Sequence, residues 1–168
     1  MLIEFIRDYY DYSEWANDRI LTAAEGLTTE QFLESDLEGI WPIRFSIAHM
    51  MLAQWAWIGR WNDGKDSQDD IEETDFADVA SIRAFWPGVY DAMRELLDRL
   101  DDEQLARDFT YVNYLGETRT YPLGNQLLHV ANHSTYHRGE VAALLTRFGC
   151  SPGEIDFNRW QDWRRRES

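Results

Sequence analysis

The segment from Leu127 to Leu145, LLHVANHSTYHRGEVAALL, carries histidines at 129, 133 and 137, each four residues from the next. Its apolar spacing is helical, and no proline or glycine interrupts it before Gly139. Four residues turn a helix by about 400°, a net rotation of roughly 40°, and raise it by roughly 6 Å. The three imidazoles therefore stack along one face and drift slowly around it. Side chains at i and i+4 are surface neighbours, so two of these rings can aim a nitrogen at one cation. The chain has one further histidine, His49, which lies in a second apolar helical run. A fold that satisfies this pattern brings another element against the histidine helix to complete a metal site. The competing reading makes the histidines core polar groups with satisfied hydrogen bonds, or a pH switch. The more specific HEXXH motif is absent.

Three more long amphipathic segments accompany this helix. The first covers about 3 to 25, with Phe5, Ile6, Tyr9, Trp15, Ala16, Ile20 and Ala23-Ala24 mostly at three- and four-residue intervals, and stops at Gly26. Thr28–Gln31 has the form of a capping start for a short helical turn. Residues 34 to 45 read as irregular, punctuated by Gly39 and Pro42. Ser46 then serves as the expected N-cap of a second helix, 47 to about 61. This helix is apolar on most sides and hence largely buried. The stretch 62 to 78, NDGKDSQDDIEETDFAD, is polar and acidic without periodicity; it matches no EF-hand loop and reads as a solvated connection. A third helix runs from about 79 to 100, with a kink or a start expected near Pro87. The β-branched and aromatic stretches 109–112 and 118–121 flank a Gly116-containing turn and predict a small hairpin. Pro122 fits the first turn of the fourth helix, which ends at Gly149. The last residues keep Ile155, Phe157, Trp160 and Trp163 to dock on the body.

The fold class that follows is all-α: a four-helix bundle with a small β-hairpin insertion between helices three and four, residues 1–168 forming a single domain. The long connections permit a non-sequential helix order, which periodicity leaves open.

Sixteen basic against thirty-one acidic residues give a formal charge of −15. Nucleic-acid binding runs on Lys/Arg neutralising phosphates, so no nucleic-acid partner is expected. Arg164–Arg166 reads as a solvated basic tail. No apolar run approaches the roughly 20 residues of a membrane span, and the first residues lack a signal-peptide pattern. Cys150 is alone, which excludes an internal disulfide and fits a reducing compartment; the expectation is cytoplasmic, with no membrane partner.

Asn132-His133-Ser134-Thr135-Tyr136-His137-Arg138-Gly139 resembles the NHxxxHRG signature of the DinB/YfiT-like metalloenzymes. Tyr12-Ser13-Glu14-Trp15-Ala16-Asn17 is similar to that family's YxxWAN opening, and His49 falls at the start of the second helix, as in the family. The resemblance spans nearly the whole chain. It implies a four-helix bundle, a homodimer, and a divalent metal held by His49, His133 and His137. His129 is left beside the site, as a pocket residue or a support for the ligands, and Asn132, Tyr136, Trp15 and Trp57 are candidates for the same role. For Trp15, Trp57 and Tyr136, packing in the core is the stronger expectation. Some relatives transfer thiols; many have no established activity.

Three neutral imidazoles leave a cation its charge and an open coordination position, as in catalytic zinc sites. Imidazole suits zinc, nickel and iron alike, so the metal's identity stays open. The chemistry expected is activation of a low-molecular-weight thiol, acting as cosubstrate, for S-transfer to a small electrophile. A metal-dependent hydrolase is the alternative, disfavoured because no Asp or Glu stands out as a general base. A non-catalytic metal-binding bundle is the third reading. Arg138, about 100° from His137, is expected to pair with a carboxylate on a neighbouring helix. Gly139 is expected at a close helix crossing, compensating a cost of about 1 kcal/mol relative to Ala. Cys150 reads as a small buried hydrophobe.

Overall fold

The computed structural model describes residues 2–34, 39–64, 71–113 and 115–167. Four long helices, α1 (Leu2–Ala24), α3 (Ile43–Asp63), α4 (Val79–Asp98) and α6 (Leu123–Arg147), form a bundle. Short helices α2 (Thr29–Leu33) and α5 (Asp102–Ala106) fill two connections, and α7 (Phe157–Glu167) closes the chain. Strands β1 (Asp108–Val112) and β2 (Thr118–Pro122) form the expected antiparallel hairpin between α5 and α6.

Each of α1 and α3 packs on both α4 and α6, so α1 faces α3 across a diagonal. Helices consecutive among the four long ones are therefore not all neighbours, the order that periodicity left open. The interior is mainly apolar: Ile6, Ile20, Ile47, Met50, Met51, Ile82, Trp86 and Leu145 are at most 1 % exposed. Burying an aliphatic side chain of this size contributes about 1.5–3 kcal/mol, so α3, inward-facing along most of its length, is a main stabiliser of the bundle.

The two helices that carry the histidines each begin directly after a proline, Pro42 and Pro122, both with φ −52°. The proline ring presets a helical entry and has no N–H of its own to satisfy. This corrects the expected N-cap at Ser46: the helix starts one turn earlier, and Ser46 is fully buried inside it. At the other end Gly64 takes φ +72°, ending α3 in a left-handed cap that disfavours a side chain.

Helix α4 runs through Pro87 rather than starting there. Its start at Asp78 is fixed by a capping box, the Asp78 carboxylate accepting from Ser81 N at 2.8 Å while Ser81 Oγ accepts from Asp78 N. The acidic connection is also less irregular than its composition implies. Residues 65–70 lie outside the described residues, but Glu73–Asp75 form one 3₁₀ turn packed against α3. The terminal residues form a helix that docks on the body, as their apolar residues predict, and Arg164–Arg166 on it are exposed. Trp160, 2 % exposed, packs against Tyr12 and Ala16 of α1, and Arg164 pairs with Asp8 at 2.6 Å while lying over the Trp160 ring. No described helix is long and apolar enough to cross a membrane.

Candidate metal centre

Helices α3 and α6 pack against each other with His49 on one and His133 and His137 on the other. Among the described residues, these three form a group whose ligating nitrogens all lie within 4.8 Å of one another. His133 Nε2 and His137 Nε2 are 3.2 Å apart, and the His49 ring centroid is 5.2 Å from each of the other two. The i, i+4 spacing brings the α6 pair together, while the α3–α6 packing brings in the third ring.

Two carboxylates orient this cluster. Glu73 Oε1 lies 2.9 Å from His49 Nδ1, and Glu140 Oε2 lies 2.9 Å from His137 Nδ1. A neutral imidazole bonded this way places its proton on Nδ1 and leaves Nε2 as a lone-pair donor. That is the tautomer a metal-ligating histidine needs, and a carboxylate behind the ring also raises its basicity. Burial, reinforced by the charges of His137, His49 and His129, pushes the His133 pKa down to about 4. His133 is therefore unprotonated at neutral pH. Three converging imidazoles, two of them with Nδ1 against a carboxylate, fit a divalent cation with nitrogen preference.

Aromatic rings close around the cluster. Trp41 stacks on His137 at 5.5 Å and 11°, and stands edge-on to His49 at 5.2 Å. Phe45, one turn before His49 on α3, lies parallel to its ring at 6.1 Å. A cavity of about 240 Å³ adjoins the histidines, bounded by His49, Ala53, Trp57, Arg60, Glu73, His129 and His133. The geometry thus offers a fixed nitrogen face, a nearby carboxylate and room for a small molecule.

The remaining candidate residues fall at different places. His129 is exposed, one turn from His133 with ring centroids 6.2 Å apart, and lines the cavity outside the three-ring group. Trp57 packs against the core, the stronger expectation for it, and also lines the cavity, its ring 6.0 Å from His129. Tyr136 is 63 % exposed, edge-on to His137 at 5.1 Å, and shares a hydrogen bond with Glu140 that, with the charge of that carboxylate, raises its pKa. Asn132 is exposed. Trp15 sits away from the histidines, packed against Tyr12 and Trp163 and beneath Arg19.

Among the described residues, Arg138 meets no carboxylate. It is 1 % exposed, and its guanidinium donates to Ser13 Oγ at 2.7 Å, Asn17 Oδ1 at 3.0 Å and Thr135 Oγ1 at 2.8 Å, above the Tyr12 ring. Neutral oxygens and a π face satisfy the donors instead, and burial lowers its pKa. Nor is Gly139 at a close crossing, since a Cβ there would meet open space. Cys150 is half-buried, its Sγ 3.0 Å from where a Cβ on Gly26 would lie.

Sequence reasoning missed Glu73, Glu140 and Trp41. Glu140 had a usable signal, because three residues after His137 is a neighbouring position on a helix. Glu73 had none: it is one carboxylate in an acidic stretch, and only the chain path brings it to His49.

The bundle and its histidine cluster define a class, helical proteins built to gather three imidazoles from two packed helices. Residues 3–168 match the model of the DinB family, and the chain belongs to that family. It is similar to the protein DinB of Bacillus subtilis (strain 168), 25 % identical over 162 residues that cover 92 % of each chain. It is also similar to an uncharacterized protein of the same organism, YizA, at 22 % identity over 154 residues, 89 % of this chain and 91 % of the other. Among solved structures it shares the fold of YfiT from Bacillus subtilis, described as a probable metal-dependent hydrolase with an unusual four-helix bundle topology. That match has a TM-score of 0.69 at 20 % identity, over 87 % of this chain and 89 % of the other.

Proposed function

We propose that this chain is a metal-dependent enzyme acting on a small molecule, with a divalent zinc, nickel or iron ion held by His49, His133 and His137. The observation that carries the reading is the convergence of three imidazoles, two with their Nδ1 atoms on carboxylates, beside a cavity. A cation held by three neutral ligands supplies Lewis acidity, lowering the pKa of a coordinated water or thiol and polarising a carbonyl.

The chain's own residues then divide the work. Glu73 and Glu140 hold the His49 and His137 rings in one tautomer and orientation. Glu73 also borders the cavity, where its carboxylate is placed to accept a proton from an O–H or S–H nucleophile. Trp41 and Phe45 pack against the imidazoles and limit water on that side.

The sequence favours thiol transfer only in that no Asp or Glu stands out as a general base, and the position of Glu73 removes that ground. Hydrolysis of a small ester or amide is therefore the reading the geometry supports best, and the likeness to a structure described as a probable metal-dependent hydrolase agrees with it. S-transfer from a low-molecular-weight thiol remains the second reading, because the same proton acceptor serves an S–H group. The test is turnover by the metal-loaded chain on esters, amides and electrophiles, with and without added thiols. Thiol-independent cleavage lost in His137→Ala establishes the hydrolase. Turnover that requires a thiol establishes the transferase. A bound metal whose removal only lowers the melting temperature leaves the non-catalytic bundle.

A further inference from the structure

The hairpin inserted before α6 is short, and a lone hairpin of this length is marginal unless it packs on something. Its register pairs Phe109 with Tyr121 and Tyr111 with Arg119, so these four side chains share one face. Gln126, 3 % exposed on α6, clamps that face by donating from Nε2 to Phe109 O at 2.9 Å and to Tyr121 O at 3.0 Å. Its Oε1 accepts from Trp61 Nε1 at 3.2 Å, which fixes the amide's orientation. Phe109 packs against the core, whereas Tyr121 stays 47 % exposed and Tyr111 half-buried.

These two tyrosines, with Trp57, Asn125 and His129, surround a second cavity of about 350 Å³. Trp57 and His129 are walls of both this cavity and the one beside the histidine cluster. The inner cavity alone falls short of the roughly 300–1,000 Å³ common for small-molecule sites, and the two together lie within that range. Trp57 is the hub between them: Tyr111 is edge-on to its ring at 4.8 Å, and the Arg60 guanidinium lies 4.7 Å from its centroid. An aromatic wall held rigid by backbone clamps, yet left open, suits a flat ring.

We infer that the outer cavity is a subsite for a planar aromatic group, so that the substrate is an elongated molecule with a flat ring against Trp57, Tyr111 and Tyr121 and its reacting end at the histidines. The inference deepens the enzyme reading and rests on it only for the reacting end. Ring binding requires no metal, so it is tested on the metal-free protein with 2-naphthalenemethanol, a neutral aromatic probe, by calorimetric titration and ligand-observed NMR. Saturable binding is expected, weakened about fivefold by Tyr121→Ala, the scale of one aromatic contact, and blocked by Asn125→Trp, which fills the chamber. A variant with His49, His133 and His137 all changed to Ala binds the probe as the wild type does. Absence of saturable binding, or equal binding by wild type and the Tyr121 and Asn125 variants, overturns the subsite. So does loss of probe binding in the folded triple variant, which would place the ring at the histidines. Metal content assayed on the same samples reports the enzyme reading separately.

Discussion

Arg138 on α6 donates to Asn17 Oδ1 on α1 at 3.0 Å, joining residues 121 positions apart in sequence. Asn17 in turn donates from Nδ2 to the Tyr90 hydroxyl on α4 at 3.2 Å. The two stretches that carry the family resemblance, one ending at Asn17 and one containing Arg138, are thus two halves of a single buried network. The network ties the histidine helix to two neighbours, one residue away from His137.

Removing the guanidinium leaves Ser13 and Asn17 buried without their donor and opens a void. Arg138→Ala is expected to destabilise the chain by about 2–4 kcal/mol. Arg138→Lys recovers less than half of this, since an ammonium cannot span three acceptors. Urea denaturation measures both. A midpoint shift equivalent to less than about 0.5 kcal/mol for the alanine variant would show that the network contributes nothing.

The histidine register on α6 was legible in the sequence because it is local: one helix and a spacing of four decide it. The long helices and the hairpin were legible for the same reason, their periods and turn residues lying within short windows. Glu73 was not, because its position depends on how a connection without periodicity returns to α3. Arg138 was legible in direction, pointing away from His137, but not in partner, since nothing in a sequence says whether a buried donor meets a carboxylate or several neutral oxygens. The start of α3 was misplaced because Ser46 is a good capping residue in general, while Pro42 supplies the entry here.

Glu73 acts on the centre through the His49 ring. Glu73→Gln is expected to lower metal affinity by about 10- to 100-fold while leaving stoichiometry unchanged. Competition with a chromophoric chelator measures the affinity. An unchanged affinity would make the 2.9 Å contact incidental to metal binding.

Acid should destabilise the metal-free protein through His133. Its pKa is about 4 in the folded chain against an ordinary 6.5. The unfolded chain therefore takes up a proton between these values that the folded chain refuses. The contribution is fully present above pH 6.5, is lost as pH falls towards 4, and changes no further below that. Melting temperatures of wild type and His133→Gln, measured from pH 7.5 to 4.5, should converge on acidification, because the glutamine variant lacks this part of the slope. Parallel curves contradict the shift.

We propose that the chain pairs as a homodimer. Support comes from the resemblance to the family and from apolar rings left uncovered on α1 and α7, Phe5 at 54 % and Trp163 at 44 % exposure. Sedimentation at tens of micromolar should give twice the chain mass, on the order of conditions that favour association by mass action. A monomer there contradicts pairing.

Metal analysis of gently purified protein tests the centre most directly. The wild type is expected to hold about one divalent ion per chain, as a three-ligand site does. His133→Ala should abolish tight binding, and His129→Ala, whose ring lies outside the converging group, should weaken it far less. Equal metal content in the wild type and in a variant with His49, His133 and His137 all changed to Ala contradicts the account; equal losses at 129 and 137 contradict its choice of ligands.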